Sequence, residues 1–249
     1  MRKTLAAVSF TVMASLCINS FSVFAADTNA VQPKSVRGNQ ISEEFEEYLE
    51  EFDIDINANT TFELAPTVGN ARTASGNALV ITNTDGYTTK KNVMLFVDED
   101  GSVGLDSLAS ITSLKGETYP TGSWEKRLTI TGTAFYNRLD GLDIQPQAAQ
   151  FRYKKNQECD VSDIEFLFLT YGYEHSILDN TRLLDDPIEF YISVSEDNPT
   201  PTVVYYKSRP FPSNIYMHLG TGEAGMIGAF MTFSWTVDGK TLGQSLQII

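Results

Sequence analysis

The sequence has few of the residues that cross-link small exported domains or build metal and nucleophile sites. Its 249 residues include two cysteines and two histidines. Cys17 lies in an apolar segment near the start, which leaves Cys159 as the one cysteine in the rest of the chain. A single cysteine forms no internal disulfide, so stability must come from a hydrophobic core. This composition suits bacterial export better than a small disulfide scaffold.

Long hydrophobic runs are also missing. A membrane-spanning helix needs about 20 apolar residues, and no run in the sequence is that long. The longest run, Leu5 to Ile18, follows two basic residues and precedes Val23-Phe24-Ala25, which has the small and permissive residues that signal peptidase requires. We therefore predict a signal peptide over residues 1–25, cleavage after Ala25 and a secreted, extracellular product. No membrane insertion is expected.

Positive charge is scarce, with 18 Lys and Arg residues against 32 Asp and Glu residues. Cleavage would remove two of the basic residues, so the net charge of −14 would become −16. A surface this acidic repels phosphate backbones and anionic lipids, which excludes nucleic acid as an expected partner. The acidity would suit a cationic partner, and it is equally explained by solubility.

Motifs for catalytic, cofactor or metal sites are absent from the sequence. Cys159 and His175 have the residue types of a nucleophile and its base, but the acids beside Cys159 raise a thiol pKa. The segment Asp53 to Asn57 resembles the start of a calcium loop in spacing, yet Ala58 and Leu64 stand where an EF-hand needs Gly and a bidentate acid. We predict no catalytic residue, no cofactor and no bound metal.

Three further segments have plain structural interpretations. Asp98 to Gly101 is expected to be a hairpin turn, and Gly220 to Gly225 is expected to be a turn because no helix signal follows its glycines. His218, the second histidine, is far in sequence from His175 and forms no zinc signature with it. Asp185-Asp186 leaves a glycosidase-type acid pair open, because sequence spacing does not show which carboxylates meet.

The clearest structural signal is a hairpin at the end of the chain. From Ile227 to Val237 the apolar residues alternate, as they do in a strand with one buried face. Asp238-Gly239 follows, a preferred pair for a two-residue turn. With this turn as the loop, Trp235 faces Leu242 and Met231 faces Leu246, and the apolar residues of both arms lie mostly on one side. Phe233 opposite Gln244 and Val237 opposite Lys240 are the mismatches.

A helix is predicted over residues 42–52, with Ser42 as its cap and an apolar stripe that includes Phe45. Ile164 to Tyr173 reads as a strand that is apolar on both faces, so one of its faces needs a cover besides the core. We expect the helix to be that cover. The segment 26–40 is predicted to be a flexible leader.

Short strands at fairly even spacing, separated by turn residues, indicate a mainly β chain. We predict an antiparallel β-sandwich with one N-terminal amphipathic helix packed on it, as a single domain over residues 41–249. A boundary near Tyr119-Pro120, or a separate subdomain over residues 60–118, remains open at this point.

Adjacent tyrosines give the one functional hint. Tyr205 and Tyr206 lie in one predicted strand, so one of them faces away from the core and is a candidate ligand-binding residue. We expect a secreted, acidic, non-catalytic β-sandwich that binds a protein or glycan at the cell surface. A secreted hydrolase with a carboxylate site is one alternative. A pore-forming or assembling β protein is another, suggested by the polar second face of Met226 to Thr236.

Overall fold

A computed structural model describes residues 36–37, 41–70, 73–105, 107–111, 124–220 and 227–249. The predicted signal peptide and the Tyr119-Pro120 boundary lie outside these residues. The same holds for the predicted leader apart from Val36–Arg37 and for most of the Gly220 to Gly225 segment. The described residues belong to one compact unit, Pro33–Ile249. Among them, no helix is both long and apolar enough to cross a membrane.

Strands dominate the described residues. They are β1 (Val36–Arg37), β2 (Thr61–Gly69), β3 (Gly76–Asp85), β4 (Thr88–Val97), β5 (Leu128–Asp140), β6 (Asp143–Lys155), β7 (Val161–Ser176), β8 (Ile188–Asp197), β9 (Tyr205–Ser208), β10 (Ile215–His218), β11 (Gly228–Val237) and β12 (Lys240–Gln247). The α-helix α1 is Glu43–Glu50, and a 3-10 helix covers Leu108–Ile111.

The sheet closes on itself as a ring of nine antiparallel strands. The order is β2-β12-β11-β7-β10-β6-β5-β4-β3, and β3 pairs with β2 to complete the ring. Strands β1, β8 and β9 pair with β2, β7 and β6 outside the ring. The predicted mainly β class with one helix is therefore confirmed, and the sheet is a closed barrel rather than two separate sheets.

The C-terminal hairpin of β11 and β12 has the predicted register. Trp235 faces Leu242, Met231 faces Leu246, and Val237 faces Lys240 across the turn. Both turn residues have positive φ, 48° for Asp238 and 72° for Gly239, as a two-residue type I′ turn requires. On its other side β11 pairs with β7, so the hairpin is flanked within the barrel wall.

The barrel interior is filled by apolar side chains from every wall. Trp235, Phe233 and Phe166 are fully buried there. Gly132 in β5 leaves the space that two of these rings need, because a Cβ at this position would lie 2.4 Å from Cε2 of Phe166 and 2.6 Å from Cε1 of Phe233. The interior is thus a packed core rather than an open channel.

Helix α1 begins as predicted but packs elsewhere. The Oγ atom of Ser42 accepts a hydrogen bond from the backbone N–H of Phe45 at 3.2 Å, which caps the helix. A second hydrophobic cluster, outside the barrel, joins α1 to β2, β3 and β4, with Phe45, Tyr48, Phe62, Leu79, Ile81, Met94, Phe96 and Trp124 among its members. The expectation that α1 covers β7 is wrong, since no β7 residue belongs to this cluster.

Candidate functional site

The two candidate tyrosines of β9 point to opposite faces of the wall. Tyr205 pairs with Phe151 of β6, and the two rings stack with centroids 4.9 Å apart at 20°. The Tyr205 hydroxyl accepts a hydrogen bond from the backbone N–H of Thr200 at 2.8 Å. Both interactions hold the Tyr205 ring against the core, so Tyr205 is a packing residue.

Tyr206 is the outward member of the pair, and its side chain is 57% exposed. Its ring meets the ring of Phe135 in β5 edge to face, with centroids 6.2 Å apart at 74°. Ala148 lies on the intervening strand β6, opposite Phe135, and its small side chain leaves room for this contact. We refer to Tyr206 and Phe135 together as the aromatic platform.

Polar groups border the aromatic platform. Gln150 is directly opposite Tyr206 and partly exposed. The ammonium of Lys90 lies 5.9 Å from the centroid of the Phe135 ring and donates to the backbone carbonyl of Asp53 at 2.9 Å. An exposed ring with an amide beside it suits a flat ligand that has both an apolar face and hydroxyl groups.

The structure brings together the two histidines that the sequence analysis treated as unrelated. His175 is the second-last residue of β7 and His218 is the last residue of β10, and these strands pair, so the ring centroids lie 5.1 Å apart. The Nδ1 atom of His218 is 2.5 Å from Oδ1 of Asp143, the first residue of β6. The sequence carried no signal for this cluster, because strand pairing rather than spacing creates it.

The histidine cluster includes a carboxylate, Asp143, but Cys159 is not part of it. Cys159 precedes β7, and the strand from Val161 to His175 extends roughly 46 Å at about 3.3 Å per residue, so the two side chains lie far apart. Burial raises the pKa of the Cys159 thiol, which disfavours the reactive thiolate. The positions therefore give no support to a Cys159–His175 nucleophile and base, in line with the prediction that neither residue is catalytic.

Carboxylates meet on the outer faces of β7 and β8. Asp163 faces Asp197 across the two strands, and Glu165 accepts a hydrogen bond from Ser193 Oγ at 3.2 Å. Burial, and then the charge of Asp197, raises the pKa of Asp163. Burial also raises the pKa of Glu165, with the Asp163 charge as a smaller cause. The acids Asp185 and Asp186, in contrast, are exposed in the loop before β8.

The raised pKa of Asp163 predicts how stability depends on pH. Ionisation costs more in the folded than in the unfolded chain, so stability falls as pH rises from the ordinary aspartate pKa through the raised one. Asp163→Asn should therefore increase the free energy of unfolding at pH 7 and have no effect below about pH 4. Urea unfolding at both pH values measures this, with exposed Asp185→Asn as the control. An equal effect at both values would contradict the electrostatic cause.

The turn at Asp98 to Gly101 and the turn at Asp238-Gly239 each contain an aspartate that forms an ion pair. Asp98 pairs with Lys126 at 3.1 Å, and Asp238 pairs with Arg127 at 2.5 Å. A cavity of about 30 Å³ lies between these turns, enough for about one water molecule. In the part of the chain that the structure describes, no group of three or more His, Cys, Asp or Glu side chains is arranged to hold a metal ion.

Comparisons with known proteins add no functional information to this geometry. No protein-family model, no curated protein and no solved structure matches the chain.

Proposed function

We propose that the chain is an exported, non-catalytic β protein that binds a glycan at the cell surface through the aromatic platform. The observation that carries the proposal is the exposure of Tyr206 on an open sheet face, with Phe135 supporting its ring from the side. Export rests on the predicted signal peptide. We further propose that the barrel is flattened like a sandwich, because Phe166 and Phe233 of one wall reach Gly132 of the other.

The surroundings of the platform favour a neutral sugar over a charged ligand. Lys90 donates to the Asp53 carbonyl, and Arg152 donates to the Glu51 carbonyl at 2.5 Å, so both cations are engaged by the segment that follows α1. Gln150 remains beside Tyr206 as an uncharged hydrogen-bonding group. Stacking of a sugar on Tyr206 with hydroxyl contacts to Gln150 uses both features of the surface.

The proposal is tested by replacing Tyr206 and a matched tyrosine elsewhere. Tyr206→Ala should weaken glycan binding by about tenfold or more, since a central aromatic contributes over 1 kcal/mol at such sites. Tyr87→Ala removes a tyrosine that is 72% exposed in another turn and should leave binding unchanged. A glycan array identifies ligands for the parent protein, and calorimetry compares the variants. Equal binding by all three proteins would contradict the platform assignment.

A secreted hydrolase is the second candidate, and the facing pair of Asp163 and Asp197 favours it. Glycoside hydrolysis needs two carboxyl groups in different protonation states, and a raised pKa suits the general acid. Asp163 has such a raised pKa. The hydrolase hypothesis differs from the binding proposal in one measurable property. It requires hydrolysis of the glycan, and Asp163→Asn should abolish that hydrolysis.

A further inference from the structure

The exposed apolar side chains of the described residues concentrate at one end of the barrel. Nine large hydrophobic residues are exposed in the described part of the chain. Seven of them occur in the β3–β4 turn, in the end of β5 with the turn after it, and in the loop between β7 and β8: Tyr87, Leu139, Leu142, Ile177, Leu178, Leu183 and Leu184. We call these seven residues the apolar rim. Leu178 is 90% exposed, the largest value in the set. Exposed apolar residues that cluster at one end of a fold are candidates for an interaction site.

Hydrogen bonds connect the three segments. The backbone N–H of Arg138 donates to the carbonyl of Tyr87 at 2.7 Å, which joins the β3–β4 turn to the end of β5. The N–H of Leu219 donates to the carbonyl of Leu142 at 3.0 Å, which joins the β5–β6 turn to the end of β10. Strand β10 in turn pairs with the end of β7, from which the third segment starts.

The third segment, residues 177–187, is ordered by its own contacts. The N–H of Leu183 donates to the carbonyl of Glu174 at 2.8 Å, and Arg182 Nε donates to the carbonyl of Leu184 at 2.7 Å. The Arg182 guanidinium lies 3.5 Å from the centroid of the Tyr173 ring. The leucines are thus presented on a fixed loop, which reduces the entropy that binding would otherwise cost.

Acidic side chains surround the rim. The segments 85–88, 138–143 and 174–186 contain seven acidic residues and two arginines, a net charge of −5 with the histidines neutral. Asp179 follows Leu178, and Asp185 and Asp186 follow Leu184. Hydrogen bonds from Ser176 and Thr181 lower the pKa of Asp179, so it stays ionised in mild acid. An anionic bilayer is repelled by such a surface, whereas a cationic surface is attracted.

We propose that the apolar rim docks a cationic amphipathic segment of a partner protein, whose apolar face covers the leucines of residues 177–184 while its Lys or Arg side chains meet Asp179, Asp185 and Asp186. Amphipathic helices bind apolar surfaces in this way, and charge at the border selects the partner. The rim is separate from the aromatic platform, so this proposal does not depend on glycan binding.

The test uses a synthetic amphipathic peptide of leucine and lysine, with a leucine and glutamate peptide of the same pattern as the reference. Calorimetry on the purified protein should show that the lysine peptide binds and that the glutamate peptide does not. Leu178→Ser combined with Leu183→Ser and Leu184→Ser should weaken it by at least about tenfold. Val203→Ser, an exposed residue outside the rim, should change nothing. Asp179→Asn with Asp185→Asn and Asp186→Asn should weaken binding and reduce its dependence on salt between about 0.05 and 0.5 M.

Three outcomes would overturn the proposal. One is unchanged peptide binding by the triple serine variant, provided that its melting temperature equals that of the parent. Another is equal binding of the lysine and glutamate peptides. The third is binding to phosphatidylcholine vesicles that depends on Leu178, Leu183 and Leu184, without binding of the lysine peptide. The rim would then be a lipid-binding surface.

Discussion

Replacing Trp235 by alanine should lower the free energy of unfolding by about 3–5 kcal/mol, the range measured for large aromatic side chains in cores. Trp235 is fully buried inside the barrel and lies between Ile164 of β7 and Leu242 of β12. The loss leaves a cavity that three strands border, and fixed strand pairing limits how far they move to fill it. Urea unfolding followed by circular dichroism measures the change.

Trp235→Phe is the matched control for this experiment. The indole Nε1 of Trp235 has no hydrogen-bond partner among the residues that the structure describes. Phenylalanine fills most of the same space without this unpaired N–H group, so the cost should stay below about 1.5 kcal/mol. In a Trp124→Phe background, Trp235 should emit at short wavelength and resist acrylamide. Red, freely quenched emission would place Trp235 on the surface and contradict the hairpin register.

Phe45→Asp should destabilise the protein by about 4 kcal/mol or more, because it removes a buried aromatic and places a charge in an apolar cluster. The Phe45 ring packs edge to face against Trp124, with centroids 5.0 Å apart. Tyr48 in the same cluster donates or accepts a hydrogen bond with Thr129 Oγ1 at 2.7 Å, and burial raises the pKa of Tyr48 to about 12. The helix is therefore docked by both apolar and polar contacts.

Two variants isolate the docking contribution of the helix. Phe45→Leu keeps the site apolar and should cost far less than the aspartate. Glu47→Ala changes an exposed position of the same helix and should have little effect. A melting temperature that is the same for Phe45→Asp and the parent protein would show that α1 contributes nothing to the fold.

The hairpin could be predicted from the sequence because all its determinants are local. Alternation along β11 defines the buried face, and Asp238-Gly239 defines the turn, so pattern and turn chemistry agree on one register. The cap of α1 at Ser42 is local in the same sense. The closure of the barrel depends on pairings far apart in the sequence, such as β2 with β12, and nothing local specifies them.

The partner of the helix was predicted wrongly because more than one strand had an apolar outer face. In β3 and β4, consecutive apolar residues belong alternately to the barrel core and to the helix cluster, as Val80 and Ile81 do. Strands β3 and β4 are therefore apolar on both faces, as β7 is. An apolar outer face does not by itself identify which strand the helix covers. The outer side chains of β7 are only partly buried at Leu169, Tyr171 and Tyr173.

Part of the candidate site could be predicted from local sequence, and the rest depends on contacts between residues that are far apart in the chain. That one of Tyr205 and Tyr206 faces outward follows from alternation within a strand, and the structure identifies Tyr206. The support from Phe135 comes from a strand two positions away in the sheet. The histidine cluster and the apolar rim arise from strands and turns that meet only after folding, which is why sequence spacing gave no sign of them.

The proposed binding of glycans without cleavage is tested most directly by a measurement that separates binding from turnover. Oligosaccharides that the protein retains on an array are incubated with it, and new reducing ends are quantified beside the bound fraction. We expect retention that Tyr206→Ala weakens by about tenfold or more, with no release of reducing ends. Reducing ends that accumulate with the parent protein and with Tyr206→Ala, but not with Asp163→Asn, would contradict it and identify a hydrolase.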